Sequence, residues 1–195
     1  MKREFISLLL CCFVGLSILV LSCNATETRD EDGLSAIEED ATKTIGLSST
    51  AFKERDKIPV KYTCDGQDIS PALTWDEPPQ LTEAFVLIVD DPDAPGGVFT
   101  HWVLFNIPVN IYHFGEGIPT QEQLENGALQ GKNDFGRTGY GGPCPPSGSS
   151  HMYRFSIYAL DQRLNLKAGA SKKQVIDAMR GHILAQGQLT GMYQR

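Results

Sequence analysis

The chain has 195 residues, with 17 basic and 24 acidic side chains and a net charge of −7 at pH 7. A chain of this length is typical of one domain with additional segments. The acidic balance argues against non-specific nucleic-acid binding, which requires a basic surface.

The N-terminal residues 1–22 have the pattern of an export signal. A short basic start, Met1–Arg3, precedes an almost wholly apolar run over Phe5–Leu21, as in secretory signal peptides. The run is shorter than the roughly 20 residues that span a bilayer comfortably, so a cleaved signal is favoured over a transmembrane anchor.

The apolar run ends at a cysteine. The sequence Val20–Cys23, VLSC, resembles the lipobox of bacterial lipoproteins, in which the cysteine becomes the lipidated first residue. We therefore expect a lipoprotein-type signal peptide with lipidation at Cys23. A diacylated cysteine would anchor the chain to a membrane in the periplasm or at the outer membrane. Ordinary cleavage near Ala25 is the alternative.

Residues 23–44 are predicted to form an acidic, disordered tether. From Asn24 to Thr44, seven acidic and two basic side chains give a net charge of −5, and large apolar residues are scarce. Such a segment cannot bury enough apolar surface to offset the entropy lost on ordering. The folded domain is then predicted over residues 45–195, with a net charge of about −3.

Two of the five cysteines fall in the predicted domain, Cys64 and Cys144. Neither belongs to a CxxC pair, which argues against a cysteine-based zinc site. In an exported protein, two remaining cysteines are consistent with a disulfide. Two separate buried thiols are the alternative, and the sequence does not decide between them.

Within the domain, runs of β-forming residues predict a mainly β fold (α+β by some schemes). The run Phe85–Val89 is continuously apolar, which is typical of a strand buried on both faces. Ile58–Cys64 alternates and has a proline near its start, as an edge strand would. Further strands are predicted at Ser70–Trp75, Trp102–Ile107, Tyr153–Leu160 and Gln188–Tyr193.

Helical patterns are few. Ser171 and Gln174 have capping-box spacing, and Val175, Ile176, Met179 and Ile183 then recur at helical intervals. A second, short helix is predicted to begin at Thr120–Gln123. The sum is one β-dominated domain with one or two helices on its flank.

Two loops carry the polar residues of interest. In the first, Asp91 and Asp93 follow the buried strand, and the Gly96–Gly97 turn leads to His101. If the flanking strands pair as a hairpin, both acids lie near the imidazole, and a carboxylate supports a protonated histidine. Turn formation by the aspartates and simple packing of the histidine are the alternatives.

In the second loop, a Gly/Pro/Ser-rich stretch over residues 142–150 precedes His151. Such a loop exposes main-chain N–H groups and hydroxyls of the kind that bind anions. Tyr153 lies two residues after His151 on a predicted strand, so both side chains point to the same side. His113 and His182 are expected to have structural or solvated roles.

Four segments together carry a specific resemblance: YTCDGQDISPALTW, DPDAPGGVFTHWVLFNIP, GKNDFGRTGYGGPCPPSG and HMYRFSIYALD. From about Gly46 to Tyr193 the chain resembles the phosphatidylethanolamine-binding proteins, in their bacterial Raf-kinase-inhibitor-like branch. The resemblance implies a central antiparallel sheet, a smaller second sheet and peripheral helices. It also implies a pocket for phosphate-like anions. That pocket maps onto Asp91, Asp93, His101, Gly142, Pro145, His151 and Tyr153.

The sequence departs from this family at Met152, where a basic residue usually precedes the tyrosine. Charge-assisted binding of large anionic ligands is therefore in question for this chain.

The expected function is non-catalytic binding of a small phosphate-like anion or phosphorylated headgroup, without cofactor or metal. We expect Asp91 and Asp93 to keep one or both histidines protonated, with loop N–H groups and the Tyr153 hydroxyl completing the site. One alternative is an inhibitor of a protease or kinase, or a signalling partner, that uses the same pocket.

A metal-dependent hydrolase built on Asp91, Asp93, His101 and His151 is less favoured. The chain has neither a GxSxG elbow nor an HExxH motif.

Overall fold

The computed structural model describes residues 43–195. The predicted signal peptide, the Cys23 lipidation site and nearly all of the predicted tether lie outside the described residues. The described part contains one α-helix, α1 (Lys172–Met179), and nine strands. The strands are β1 (Lys43–Thr44), β2 (Leu47–Ser48), β3 (Leu73–Trp75), β4 (Ala84–Asp91), β5 (Phe99–Pro108), β6 (His113–Phe114), β7 (Leu129–Gln130), β8 (Ser150–Leu160) and β9 (Ile183–Gln194).

The strands form two sheets. The larger sheet has the order β1-β9-β8-β4-β5-β7, and the smaller one has the order β2-β3-β6. All neighbours pair antiparallel except β1 and β9, which are parallel. The predicted mainly β fold, with a large sheet, a smaller sheet and a helix at the side, is confirmed.

Strand β4 lies at the centre of the large sheet, and all eight of its residues are buried. Its side chains alternate between two apolar clusters. Phe85, Leu87 and Val89 pack towards the small sheet, whereas Val86 and Ile88 pack with helix α1. Because both faces are covered, the strand tolerates no exposed polar position, and this explains its unbroken apolar sequence.

The described fold includes two residues that were assigned to the tether. Lys43 and Thr44 form β1 and pair in register with Ala185 and Gln186 of β9. Both β1 side chains are exposed. The pairing therefore depends on main-chain hydrogen bonds. The scarcity of large apolar residues, from which the tether was predicted, carries no information about such bonds.

Two predicted elements are wrong. Ile58–Cys64 is not a strand, because Pro59 has no N–H to donate and residues Val60–Tyr62 form a 3-10 turn. Residues Thr120–Gln123 are not helical. In that region the Gln130 side-chain amide donates to the Pro119 and Gln121 carbonyl oxygens, which replaces the hydrogen bonds a helix would supply.

The predicted capping box of α1 is confirmed. The Ser171 hydroxyl accepts from the Gln174 N–H, and the Gln174 side chain accepts from the Ser171 N–H. The helix ends at Met179, before the predicted Ile183, which instead begins β9. Gly181 adopts a positive φ of 74°, and glycine makes this reversal without steric cost.

Candidate functional site

The β4–β5 hairpin brings the first polar loop to the end of the large sheet, as predicted. Asp91 pairs in register with Phe99, two residues before His101. The buried Asp91 carboxylate uses both oxygens: Oδ1 accepts from the Asp93 N–H at 2.9 Å, and Oδ2 accepts from His151 Nδ1 at 2.7 Å. Asp91 therefore fixes the orientation of the His151 imidazole.

His101 is held by the main chain of the second loop. Its Nδ1 donates to the Gly141 carbonyl oxygen at 2.7 Å, and the Gly141 N–H donates to the His101 carbonyl oxygen at 3.0 Å. This partner could not be predicted from the sequence, because every residue has a main-chain carbonyl and the residue pattern does not single one out. Both imidazoles thus engage Nδ1 in a hydrogen bond within the fold, His101 with Gly141 and His151 with Asp91.

These groups line a cavity of about 250 Å³. Four of the seven predicted ligand-binding residues are among its lining: Asp91, His101, Pro145 and His151. The other lining residues are Ala94, Pro95, Phe99, Phe135, Cys144 and Pro146. The structure therefore brings both loops to one cavity.

The other three predicted residues adjoin the cavity and have other contacts. The Asp93 carboxylate accepts from the Met152 N–H at 2.8 Å. The Gly142 N–H donates to Asp68 at 2.6 Å. The Tyr153 ring packs edge-on against the His101 ring, with the centroids 5.2 Å apart. Asp93 thus positions strand β8 and does not contact an imidazole.

Burial, and not the carboxylates, determines the state of His101. Burial lowers the pKa of His101 below its ordinary value of 6.5, although the Gly141 carbonyl and the Asp91 charge act in the opposite direction. The lowered pKa disfavours the protonated form of His101, because desolvation of the cation outweighs the Asp91 charge. The expectation that Asp91 and Asp93 keep one or both histidines protonated stays a prediction.

Tyr153 is fully buried, and its burial together with the neighbouring Asp91 carboxylate raises the pKa of Tyr153 well above its ordinary value of 10. The phenol therefore keeps its proton at physiological pH. It supports the His101 ring by packing, and it brings no negative charge to the site.

An aromatic wall was missed in the sequence. Phe99 and Phe135 meet edge-on with centroids 4.8 Å apart, and Phe135 also packs on His101 at 5.3 Å. Phe135 is 42 % exposed, and the Arg137 guanidinium lies 5.2 Å from its ring centroid. The sequence feature that could have indicated this wall is a phenylalanine in a glycine-rich loop, where no strand would bury its side chain.

The second loop is anchored from the side of the 3-10 turn. Cys64 and Cys144, for which the sequence left both a disulfide and free thiols open, are joined by a disulfide. The Cys64 N–H also donates to the Pro143 carbonyl oxygen at 3.1 Å. Since Cys144 lines the cavity, the cross-link holds one of its walls.

Asp68 is a further anchor that the sequence did not reveal. Its Oδ1 accepts from the Gly142 N–H, and its Oδ2 accepts from Arg137 at 2.7 Å. Because Arg137 lies over Phe135, Asp68 connects the loop at Gly142 with the aromatic wall. Its backbone has a positive φ of 54°, a conformation that aspartate and asparagine tolerate better than most residues.

The remaining polar groups lie elsewhere. His113 is exposed on β6, and His182 contacts Asp161 at 2.9 Å on the surface. Among residues 43–195, no group of three or more His, Cys, Asp or Glu side chains is arranged to hold a metal ion. In the same range, no helix is long and apolar enough to cross a bilayer.

Comparison with known proteins identifies relatives over most of the chain. Residues 48–194 match the sequence model of the phosphatidylethanolamine-binding protein family. A UPF0098 protein of Methanothermobacter thermautotrophicus is 50% identical over 151 residues, which cover 77% of this chain and 99% of the relative. A UPF0098 protein of Aquifex aeolicus is 50% identical over 149 residues, covering 75% of this chain and 86% of the relative.

Solved structures show the same similarity. A phosphatidylethanolamine-binding protein homologue from Chlamydia trachomatis is 38% identical with a TM-score of 0.72, covering 79% of this chain and 99% of the other. Escherichia coli YbcL, described as a new member of the mammalian family, is 31% identical with a TM-score of 0.73, covering 77% and 98%.

Proposed function

Because the chain belongs to the phosphatidylethanolamine-binding protein family, we propose that its cavity binds a small phosphate-like anion or a phosphorylated headgroup without chemical conversion. One observation carries this proposal. Two imidazoles line one cavity, and each has its Nδ1 engaged, His101 by Gly141 and His151 by Asp91. Each therefore directs its second nitrogen to a ligand.

The neutral state of His101 determines which anions fit. With Nδ1 donating to Gly141, neutral His101 offers a lone pair at Nε2. A monoanionic phosphate ester can donate its own P–OH proton to that nitrogen. A fully ionised anion requires His101 to take up a proton first, which makes binding dependent on pH.

Asp91 gives the cavity an orienting charge. Both of its oxygens are occupied, by the Asp93 N–H and by His151. The carboxylate therefore acts on a ligand mainly through His151, whose imidazole it orients. This role resembles that of an orienting carboxylate beside a histidine ligand.

The test is a calorimetric titration from about pH 5 to pH 8, bracketing the ordinary histidine pKa near ~6.5. The probes are phosphate, phosphoethanolamine and sulfate. A bound anion raises the pKa of His101, so affinity is highest at low pH and declines as the pH rises. Sulfate, which brings no proton in this range, should show the steepest decline. Flat affinity for all three anions would contradict the protonation part of the proposal.

A second candidate function follows from the apolar rim of the cavity. Phe135 is 42 % exposed beside Phe99 and two prolines, Pro95 and Pro145. A bare phosphate leaves this rim in water, whereas a phosphorylated or carboxylate side chain of a partner protein would cover it. Inhibition of a protease or kinase, or another signalling interaction, would use the cavity in this way.

The two functions are distinguished by Phe135→Ala and His151→Ala. If a partner protein is the ligand, its capture in a pull-down is lost with both variants. If a small anion is the ligand, only His151→Ala weakens phosphate binding strongly. Stoichiometric zinc in the purified protein would instead favour the metal-dependent hydrolase.

Export and lipidation of Cys23 concern residues outside the described range and remain predictions. We propose that the cavity operates outside the cytoplasm, on a chain anchored to a membrane surface. A native mass measurement of the full chain from membranes would show the lipid on Cys23, the disulfide and any retained ligand. An unmodified full-length mass would contradict both export and lipidation.

A further inference from the structure

The opposite face of the large sheet has a second cavity. Its volume is about 260 Å³, and its lining comes from β1, β8 and β9: Thr44, Ser156, Tyr158, Gln186, Gly187 and Gln188. Side chains alternate along β8, so Ser156 and Tyr158 face away from His151 and Tyr153. Consistently, Tyr158 packs in the apolar cluster of helix α1, and Tyr153 packs in the other cluster.

The described residues of the lining are five polar side chains and one glycine, and none of them is charged at neutral pH. Ser156 lies directly opposite Gln188, and Tyr158 lies opposite Gln186, which in turn pairs with Thr44. Hydroxyl and carboxamide groups both donate and accept hydrogen bonds. They project from three neighbouring strands, which hold them more rigidly than a loop would.

Ser156 is the buried polar residue of this cavity on which the inference rests. Its side chain is 3 % exposed, and its hydroxyl has no hydrogen-bond partner among the described residues. Its neighbour on β4 is Ile88, which has no polar side-chain atom to offer. A buried hydroxyl without a partner is unfavourable. The cavity also greatly exceeds the roughly 10–15 Å³ that a single water requires.

We propose that this cavity is a second binding site, for a small neutral ligand with several hydroxyl groups, such as a polyol or a monosaccharide. An uncharged lining cannot offset the desolvation of an ion. Groups that both donate and accept complement hydroxyls, which do the same. The site lies on the other face from the anion cavity, so either proposal can fail without the other.

The experiment is nuclear magnetic resonance on the isotopically labelled full chain, titrated separately with glycerol, glucose and myo-inositol. At least one probe is expected to shift the amide signals of Ser156, Gly187 and Gln188, with a dissociation constant in the millimolar range. Phosphate is expected to shift signals at Gly142 instead. Ser156→Ala and Gln188→Ala should each weaken polyol binding about three- to tenfold, the range for one hydrogen bond.

The control variant is Ser48→Ala, which removes an exposed hydroxyl from the small sheet and should leave polyol binding unchanged. The proposal is overturned if none of the three probes shifts these signals at tens of millimolar. It is also overturned if binding is the same in Ser156→Ala and Gln188→Ala as in the parent. A larger stability loss for Ser156→Ala than for Ser48→Ala would show that the Ser156 hydroxyl is structural, contrary to the premise.

Discussion

Asp90 and Asp91 are adjacent at the end of β4, yet their carboxylates lie on opposite faces of the large sheet. Asp90 is 1 % exposed and lies 2.9 Å from the Lys172 ammonium of helix α1. Asp91 is 4 % exposed and contacts His151 at 2.7 Å. The same side chain in the same strand thus has two different partners.

The difference in partners separates a permanent contact from a switchable one. Lysine ordinarily remains charged far above neutral pH, whereas histidine titrates near it. The Asp90 pair therefore serves to fasten the helix to the sheet under all physiological conditions. The Asp91 pair includes a histidine, the residue type that can change its charge near neutral pH.

The largest expected effect comes from breaking the permanent pair. Asp90→Asn removes the carboxylate that lies 2.9 Å from the Lys172 ammonium, a side chain only 10 % exposed. We expect a loss of about 3–5 kcal/mol in the free energy of unfolding, measured by urea denaturation. The double variant Asp90→Asn/Lys172→Met should recover most of this loss. If the single variant is as stable as the parent, the ion pair does not fasten the helix.

The next effect concerns the disulfide, which lies beside the cavity on one face of the large sheet only. The Cys64–Cys144 disulfide joins residues that are 80 positions apart in the sequence. It supports a wall of the cavity lined by Asp91, here called the Asp91 cavity, and not of the cavity on the opposite face. Reduction, or the double variant Cys64→Ser/Cys144→Ser, should cost about 2–4 kcal/mol in the free energy of unfolding. It should also weaken phosphate binding.

Reduction should leave polyol binding at the opposite cavity unchanged in protein that remains folded. Equal losses at both cavities would show that the cross-link supports the whole fold and not one wall. The comparison of the two ligands, measured on the same reduced sample, therefore separates local from global effects.

A third effect concerns the switchable pair itself. Asp91→Asn preserves size but removes the charged acceptor that orients His151. Phosphate affinity at pH 6 should fall about 10-fold or more, the range for hydrogen bonds to charged groups. The loss in stability should be smaller than in Asp90→Asn. The matched control is Asp93→Asn, which removes the charge of a neighbouring carboxylate that accepts from the Met152 N–H. A gain in affinity would mean that Asp91 acts mainly by repelling the anion.

Sequence patterns predicted those features that arise from side-chain burial. The unbroken apolar run Phe85–Val89 predicted a strand covered on both faces, and β4 is buried throughout. The capping residues predicted the start of α1, because the N–H groups at a helix N-terminus need side-chain acceptors. The resemblance to known family segments placed Asp91, His101 and His151, which the fold brings together.

Features that depend on main-chain contacts or on desolvation were not predicted. The Gly141 carbonyl that holds His101 has no side-chain signature. The lowered pKa of His101 depends on burial, which a single sequence does not quantify. The alternating pattern of Ile58–Cys64 predicted a strand, but the missing N–H of Pro59 ends the ladder there.

The smallest expected effect concerns Asp68, whose charge binds Arg137 and the Gly142 loop beside the Asp91 cavity. Asp68→Asn removes the charge that binds Arg137 and Gly142, and asparagine tolerates the positive φ of 54° at this position. Since the Asp68–Arg137 pair is partly exposed, with side-chain exposures of 30 % and 52 %, its contribution to stability should be at most about 1 kcal/mol. Phosphate affinity should fall about two- to threefold, because a loosened Gly142 loop holds Gly141, and through it His101, less firmly. Raising the salt concentration should reduce the parent's affinity towards that of the variant, since exposed pairs are screened. If Asp68→Asn binds phosphate as tightly as the parent at low salt, the disulfide alone is sufficient to hold the wall.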